Sequence, residues 1–145
     1  MTSTGFHCII ITLEDAQTRR DVISARLQAL GIPFEFVSGV DGRKLDALAH
    51  PAYDSFKRSI FFGRDLSNGE LGCVLAHRNA CRHVLESGYD TALVLEDDAM
   101  LTDDLPRVMA DLMTMRDRWD MVRFLGRKKN YRASRLIAPL PHGGA

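Results

Sequence analysis

The sequence holds few features of an extracellular, membrane-spanning or nucleic-acid-binding protein. Only three of its 145 residues are cysteine: Cys8, Cys73 and Cys81. An odd count without paired spacing is neither a disulfide framework nor a zinc motif. If residues 70–87 are helical, Cys73 and Cys81 stand roughly 12 Å apart along the axis at 1.5 Å per residue, too far to bridge. Free thiols suit a reducing compartment. An excess of charge of one sign is missing too, because nineteen Lys and Arg balance nineteen Asp and Glu. That leaves no global field to attract a polyanion, and nucleic acid is not an expected partner. No basic segment precedes the apolar run Cys8 to Ile11, which is too short for a signal peptide or a membrane span. The expected location is the cytoplasm. Both Gly-rich phosphate signatures, G-x-G-x-x-G and the P-loop, are absent.

What is present is a globular composition, 46% hydrophobic and 26% charged, in a chain the length of one ordinary domain. His7-Cys8-Ile9-Ile10-Ile11-Thr12 is a β-branched run that suits a strand buried on both faces. A helix is expected from about residue 14 to Leu30, with Val22, Ile23, Leu27 and Leu30 facing inward and Gly31 and Pro33 as stop signals. Phe34-Glu35-Phe36-Val37 reads as a second strand, closed by Gly39 and an Asp41-Gly42 turn. Strand, helix and strand at this spacing form a βαβ unit, whose right-handed crossover makes the strands parallel. Residues 43–66 read as a partly helical excursion. Ser67-Asn68-Gly69-Glu70 has the form of a capping box that opens a helix to about Ser87. Thr91 to Leu95 reads as a third buried strand, Asp103 or Asp104 as the cap of another helix with Pro106 in its first turn, and Asp120 to Phe124 as a fourth strand. The expected architecture is an α/β open sheet with helices on its faces, spanning residues 1–126. A basic, Pro- and Gly-rich tail follows over residues 127–145.

Ligands of open α/β sheets gather at the carboxyl ends of the strands, and the third strand ends in Glu96-Asp97-Asp98. Three consecutive acids repel one another unless a cation neutralises them. Glu96 and Asp98 point to the same side if the backbone stays extended, so they can share one magnesium or manganese ion. A solvated acidic turn before a helix is the competing reading, and spacing does not separate the two. Ser67 and Glu70 have a structural task in the capping box. His77 falls on a helical face with Val74, Cys81 and Val84, where a hydrogen-bonded core histidine is the default. Gly69 and Gly72 allow a backbone to come close to a ligand. Arg19 and Arg20 either face a nucleotide at the end of the first strand or lie on a solvated helix face. The cluster Arg127, Lys128, Lys129, Arg132 and Arg135 suits a diphosphate or an anionic membrane surface.

Three of these blocks, in order, resemble glycosyltransferase family 25, which includes lipooligosaccharide and collagen galactosyltransferases. Ile9-Ile10-Ile11-Thr12-Leu13 with Arg19-Arg20 is similar to the family's first strand and arginine pair. Leu66-Ser67-Asn68-Gly69-Glu70-Leu71-Gly72-Cys73 with His77 is similar to its L-[ST]-x-G-E-[IL]-G-C…H block. Val94-Leu95-Glu96-Asp97-Asp98-Ala99 is similar to its acidic block. The resemblance covers about residues 8–126. It implies a GT-A-like, Rossmann-like fold with a mostly parallel sheet, of which this chain supplies the N-terminal half. It also implies a UDP-sugar donor, often UDP-galactose, and a divalent Mn2+ or Mg2+ ion. Glu96 and Asp98 would hold the metal, and Thr12, Leu13, Arg19, Glu70, His77 and Asp97 would line the donor side. The implied acceptor is a lipid-linked oligosaccharide of lipopolysaccharide biosynthesis, reached by peripheral contact with the cytoplasmic face of the inner membrane.

Two departures bear on activity. A serine commonly precedes the family histidine, where this chain has Ala76. Family members are also longer, so the acceptor site and the general base are expected beyond this sequence, with a truncated, inactive remnant or a scaffolding module as the alternative. A phosphoacceptor receiver domain, suggested by the first strand running into Glu14-Asp15, fails. No apolar run leads to Asp54, and Phe124 leads to Gly126 rather than to a lysine.

Overall fold

The computed structural model describes residues 5–124 and Pro141. The elements run β1 (His7–Thr12), α1 (Gln17–Ala29), β2 (Phe34–Ser38), a 3-10 turn at Gly42–Lys44, α2 (Ser55–Phe62), α3 (Asn68–Glu86), β3 (Ala92–Glu96), α4 (Leu105–Thr114) and a 3-10 turn at Arg116–Arg118. The basic cluster expected over residues 127–135 lies outside the described residues.

The described strands form one parallel sheet in the order β2-β1-β3. β1 pairs Cys8 with Phe34 and Ile10 with Phe36 on one side, and Cys8 with Leu93 and Ile11 with Glu96 on the other. As the central strand it is covered on both faces, and Ile9 and Ile10 are fully buried. One face of the sheet carries Cys8, Ile10 and Leu93 against Ile23 and Leu27 of α1 and Leu105, Met109 and Leu112 of α4. The other carries Ile11, with Val94 beside it, against Ala76 and Ala80 of α3. The fold is therefore the expected α/β open parallel sheet with helices on both faces.

Several details differ from the sequence reading. α1 starts at Gln17 rather than at residue 14, and Val22 is exposed while Ile23 and Leu27 are buried. α3 leaves Val74 and Cys81 exposed and Val84 only half-buried. Its inner face is Leu71, Gly72, Leu75, Ala76 and Ala80, because small side chains let the helix axis settle close to the sheet. No strand forms over Asp120 to Phe124. Met121, Val122 and Phe124 are exposed there, and an apolar segment without a partner ladder gains nothing from extended structure.

Beyond β2, Asp41 caps the Gly42–Lys44 turn by accepting from the Arg43 N–H, and this turn packs on the start of α3. A Cβ on Gly42 would meet the Asn68 carbonyl oxygen at 2.6 Å, and one on Gly72 would meet the Val40 carbonyl oxygen at 2.7 Å. These glycines serve backbone-to-backbone packing. Gly72 thus admits the β2–α2 connection, and it also lines the cleft at the end of the sheet. Ser67 and Glu70 form the capping box expected from sequence.

Candidate functional site

Because β2 and β3 flank β1 on opposite sides, the connections leaving β1 and β2 part around a crevice at the carboxyl end of the sheet, where open α/β folds place ligands. A cleft of about 630 Å³ lies there, within the size range of small-molecule sites. The ends of β1 and β3, the Gly42–Lys44 turn and the first three turns of α3 all contribute to it.

The floor is built around Asp97. The backbone leaves the extended state after Glu96, and Asp97 and Asp98 form a turn in which the Ala99 N–H donates to the Glu96 carbonyl. Asp97 is directed inward and buried. Thr12 Oγ1 donates to its Oδ2 at 2.7 Å, and Arg19 Nη1 lies 3.1 Å from its Oδ1. Both carboxylate oxygens are engaged, while half of the Arg19 side chain stays exposed. Arg20 diverges, with its guanidinium 4.4 Å from the centre of the Phe36 ring. The arginine pair therefore splits into one residue at the cleft and one on the flank of the sheet.

The wall opposite Arg19 brings Cys73 and His77, one helical turn apart on α3, to Glu96. Cys73 Sγ donates to Glu96 Oε1 at 3.5 Å, and His77 Nε2 lies 2.9 Å from the same oxygen. His77 is about half-exposed, so the core role expected by default is not the one it has. The His77 hydrogen bond holds the Glu96 carboxyl below the usual carboxylate range, against the opposing effect of partial burial. Burial first, and then the Glu96 charge, pushes the Cys73 thiol up. These shifts favour a charged carboxylate beside a protonated thiol.

The remaining expected residues are distributed unevenly. Thr12, Leu13, Arg19, His77, Glu96 and Asp97 line the cleft. Glu70 is outside that lining. It accepts from the Ser67 N–H and is gripped by Arg64, and those contacts hold its carboxyl well below the usual range. Asp98 is exposed and also outside the lining. Glu96 and Asp98 would share one side only on an extended chain, and the turn at Asp97 and Asp98 ends that state. Sequence reasoning missed Cys73 as a partner of Glu96, although its spacing from His77 puts both on one helix face. It also missed Arg43, which lines the cleft between Asp41 and Asp15, donating to each. The Asp41-Gly42 turn was the signal available there. No helix among the described residues is long and apolar enough to cross a membrane.

The sequence profile described as "Glycosyltransferase family 25 (LPS biosynthesis protein)" matches residues 6–138. A rat protein named probable inactive glycosyltransferase 25 family member 3 is 33% identical over 128 residues, covering 83% of this chain and 22% of the relative. The mouse inactive glycosyltransferase 25 family member 3 is 30% identical over 138 residues, covering 89% of this chain and 23% of the relative. Procollagen galactosyltransferase 1-B of Xenopus laevis is 30% identical over 132 residues, covering 83% and 21%. The chain spans about a fifth of the length of these relatives.

Proposed function

Because the chain belongs to glycosyltransferase family 25, we propose that its cleft binds the nucleoside diphosphate end of a UDP-sugar, for transfer of a hexose to a saccharide acceptor. The observation that carries this reading is the meeting of a half-exposed, anchored arginine and an acidic strand end in one cleft at the carboxyl edge of the sheet. Arg19 offers a positive charge fixed by Asp97, which suits a diphosphate oxygen. Thr12 and Leu13 form the floor beneath the nucleotide. Gly69, with nothing within 4 Å of a Cβ placed on it, leaves room for the ligand at the start of α3.

The assignment of Mn2+ or Mg2+ to Glu96 and Asp98 is supported by donor chemistry alone: both are exposed, hard oxygen donors flanking Asp97, the ligand type such ions prefer. Such an ion, when bound, neutralises charge developing on the departing diphosphate. Asp97 is committed to Thr12 and Arg19 and positions the arginine rather than the metal. Galactose is the sugar favoured by the name of the procollagen galactosyltransferase relatives. A lipid-linked oligosaccharide acceptor, met at the cytoplasmic face of the inner membrane, is favoured by the family's description as lipopolysaccharide biosynthesis proteins. A second reading, donor binding without transfer, has support in the relatives named inactive. Incubation with UDP-galactose, manganese and a lipooligosaccharide acceptor separates the two. Labelled acceptor supports transfer, and binding of UDP without labelling supports the second reading.

A further inference from the structure

We propose that Cys73, His77 and Glu96 form a binding site for a thiophilic divalent ion of the zinc class, distinct in selectivity from a magnesium or manganese ion serving the donor. One ligand atom from each residue lies within 4.8 Å of the other two. A tetrahedral zinc ion with ordinary Zn–S, Zn–N and Zn–O bonds sets its sulfur and oxygen ligands about 3.6 Å apart and its nitrogen and oxygen ligands about 3.3 Å apart. The sulfur–oxygen separation here is 3.5 Å and the nitrogen–oxygen separation 2.9 Å. Two of the three ligand separations thus lie within a few tenths of an ångström of tetrahedral values, and the sulfur–nitrogen pair, within 4.8 Å, completes three corners once drawn to roughly 3.5 Å around the ion.

The scaffold holds these corners in place. Cys73 and His77 project from one face of a 19-residue helix. Between them, Leu75 and Ala76 are buried against the body of the protein. Glu96 is the last residue of β3, in register with Ile11 of the central strand. Thiolate and imidazole are ligands of zinc and its neighbours in the first transition series, whereas magnesium and manganese favour oxygen. Three protein ligands leave a fourth position for water or a substrate oxygen. Glu96 is common to this cluster and to the proposed donor metal site. An ion held by Cys73 and His77 therefore competes with manganese for that carboxylate, and zinc acts as an inhibitor of manganese-dependent donor binding. The cluster itself rests on its own geometry and does not depend on the donor reading.

Cobalt substitution tests the site directly. The full chain under reducing conditions is titrated with Co2+ and then with Zn2+, and absorption is followed for the thiolate-to-cobalt charge-transfer band. The expected result is a saturable band that Zn2+ abolishes and a large excess of Mg2+ does not. The band persists in Cys81→Ser and is lost in Cys73→Ser. Zn2+ affinity in Cys73→Ser falls by more than roughly 100-fold, since loss of even an outer partner of a metal ligand costs about 10–100-fold. His77→Ala and Glu96→Gln keep a weakened band, and far-UV circular dichroism verifies that each variant is folded. No band in the folded wild-type chain, or a band that survives Cys73→Ser, overturns the site. Loss of UDP binding with the band intact counts against the donor reading alone.

Discussion

Thr12 and Asp97 are joined by a 2.7 Å hydrogen bond one residue beyond the last backbone pair of β1 and β3, Ile11 with Glu96. Side chains thus extend the register past the point where β3 turns away, and they fix the carboxylate that anchors Arg19. The end of the sheet and the floor of the cleft are one construction.

Removing the hydroxyl isolates this link. Thr12→Val leaves a buried carboxylate short of one donor, at a cost of about 1–3 kcal/mol, measurable by urea denaturation. Asp97→Asn keeps an acceptor for Thr12 but removes the charge that holds Arg19. It is expected to weaken UDP binding by about tenfold, the worth of one charge-assisted contact, while leaving uridine binding unchanged. Equal losses for UDP and uridine would mean that Asp97 acts only on the fold.

Gly72 and Gly69 separate packing from ligand access. Gly72→Ala drives a Cβ to 2.7 Å from the Val40 carbonyl and is expected to cost about 1–3 kcal/mol, as overpacking does. Gly69→Ala meets no atom within 4 Å, so stability holds while nucleotide affinity drops. Equal stability of the two variants in thermal unfolding would contradict the close approach at Gly72.

The α3 cap responds to acid. Glu70 is held below its ordinary value near 4.5 by Arg64 and by the Ser67 N–H. A carboxyl depressed in the folded state contributes stability above its unfolded pKa, and loses that contribution as pH falls through the lower folded value. The loss therefore begins below about pH 4.5 and stays incomplete well beneath it. Being exposed, the Arg64 pair is screened by salt. Denaturation midpoints of wild type and Glu70→Gln should differ at pH 7 and converge toward low pH. A constant difference down to pH 2 would remove Glu70 ionisation from the account.

Thiol reactivity follows burial. Cys8 is 2% exposed, and burial pushes its thiol up to about 12, whereas Cys73 and Cys81 are exposed. A thiol-disulfide reagent at pH 8 should label two cysteines in the native chain and the third only after unfolding. Rapid labelling of Cys8 in the folded protein would show that the β1 core opens.

Sequence reading succeeded where a local rule has one physical outcome. The isoleucines of β1 fit a doubly covered strand, and Ser67 with Glu70 fit a helix start. It failed on the face of α3, where Val74 and Cys81 are exposed. The contact surface instead joins Leu71 and Leu75 to Gly72, Ala76 and Ala80, and at Gly72 the missing side chain lets two backbones come close. The turn after Glu96 was equally hidden. It depends on Thr12 and Arg19, 85 and 78 positions away in sequence, drawing Asp97 inward. Cys73 escaped notice because its partner Glu96 comes from another element, and Arg43 because Asp15, the second of its two carboxylate partners, lies 28 positions away.

The most direct test of the account is calorimetric titration of UDP into the full chain, with and without Mn2+. The account predicts saturable binding that requires the ion and is lost in Asp98→Ala, with far-UV circular dichroism verifying the fold of each sample. Binding unaffected by manganese and by Asp98→Ala would contradict the metal assignment. No binding to a cooperatively folded chain would contradict the donor-site reading of the cleft.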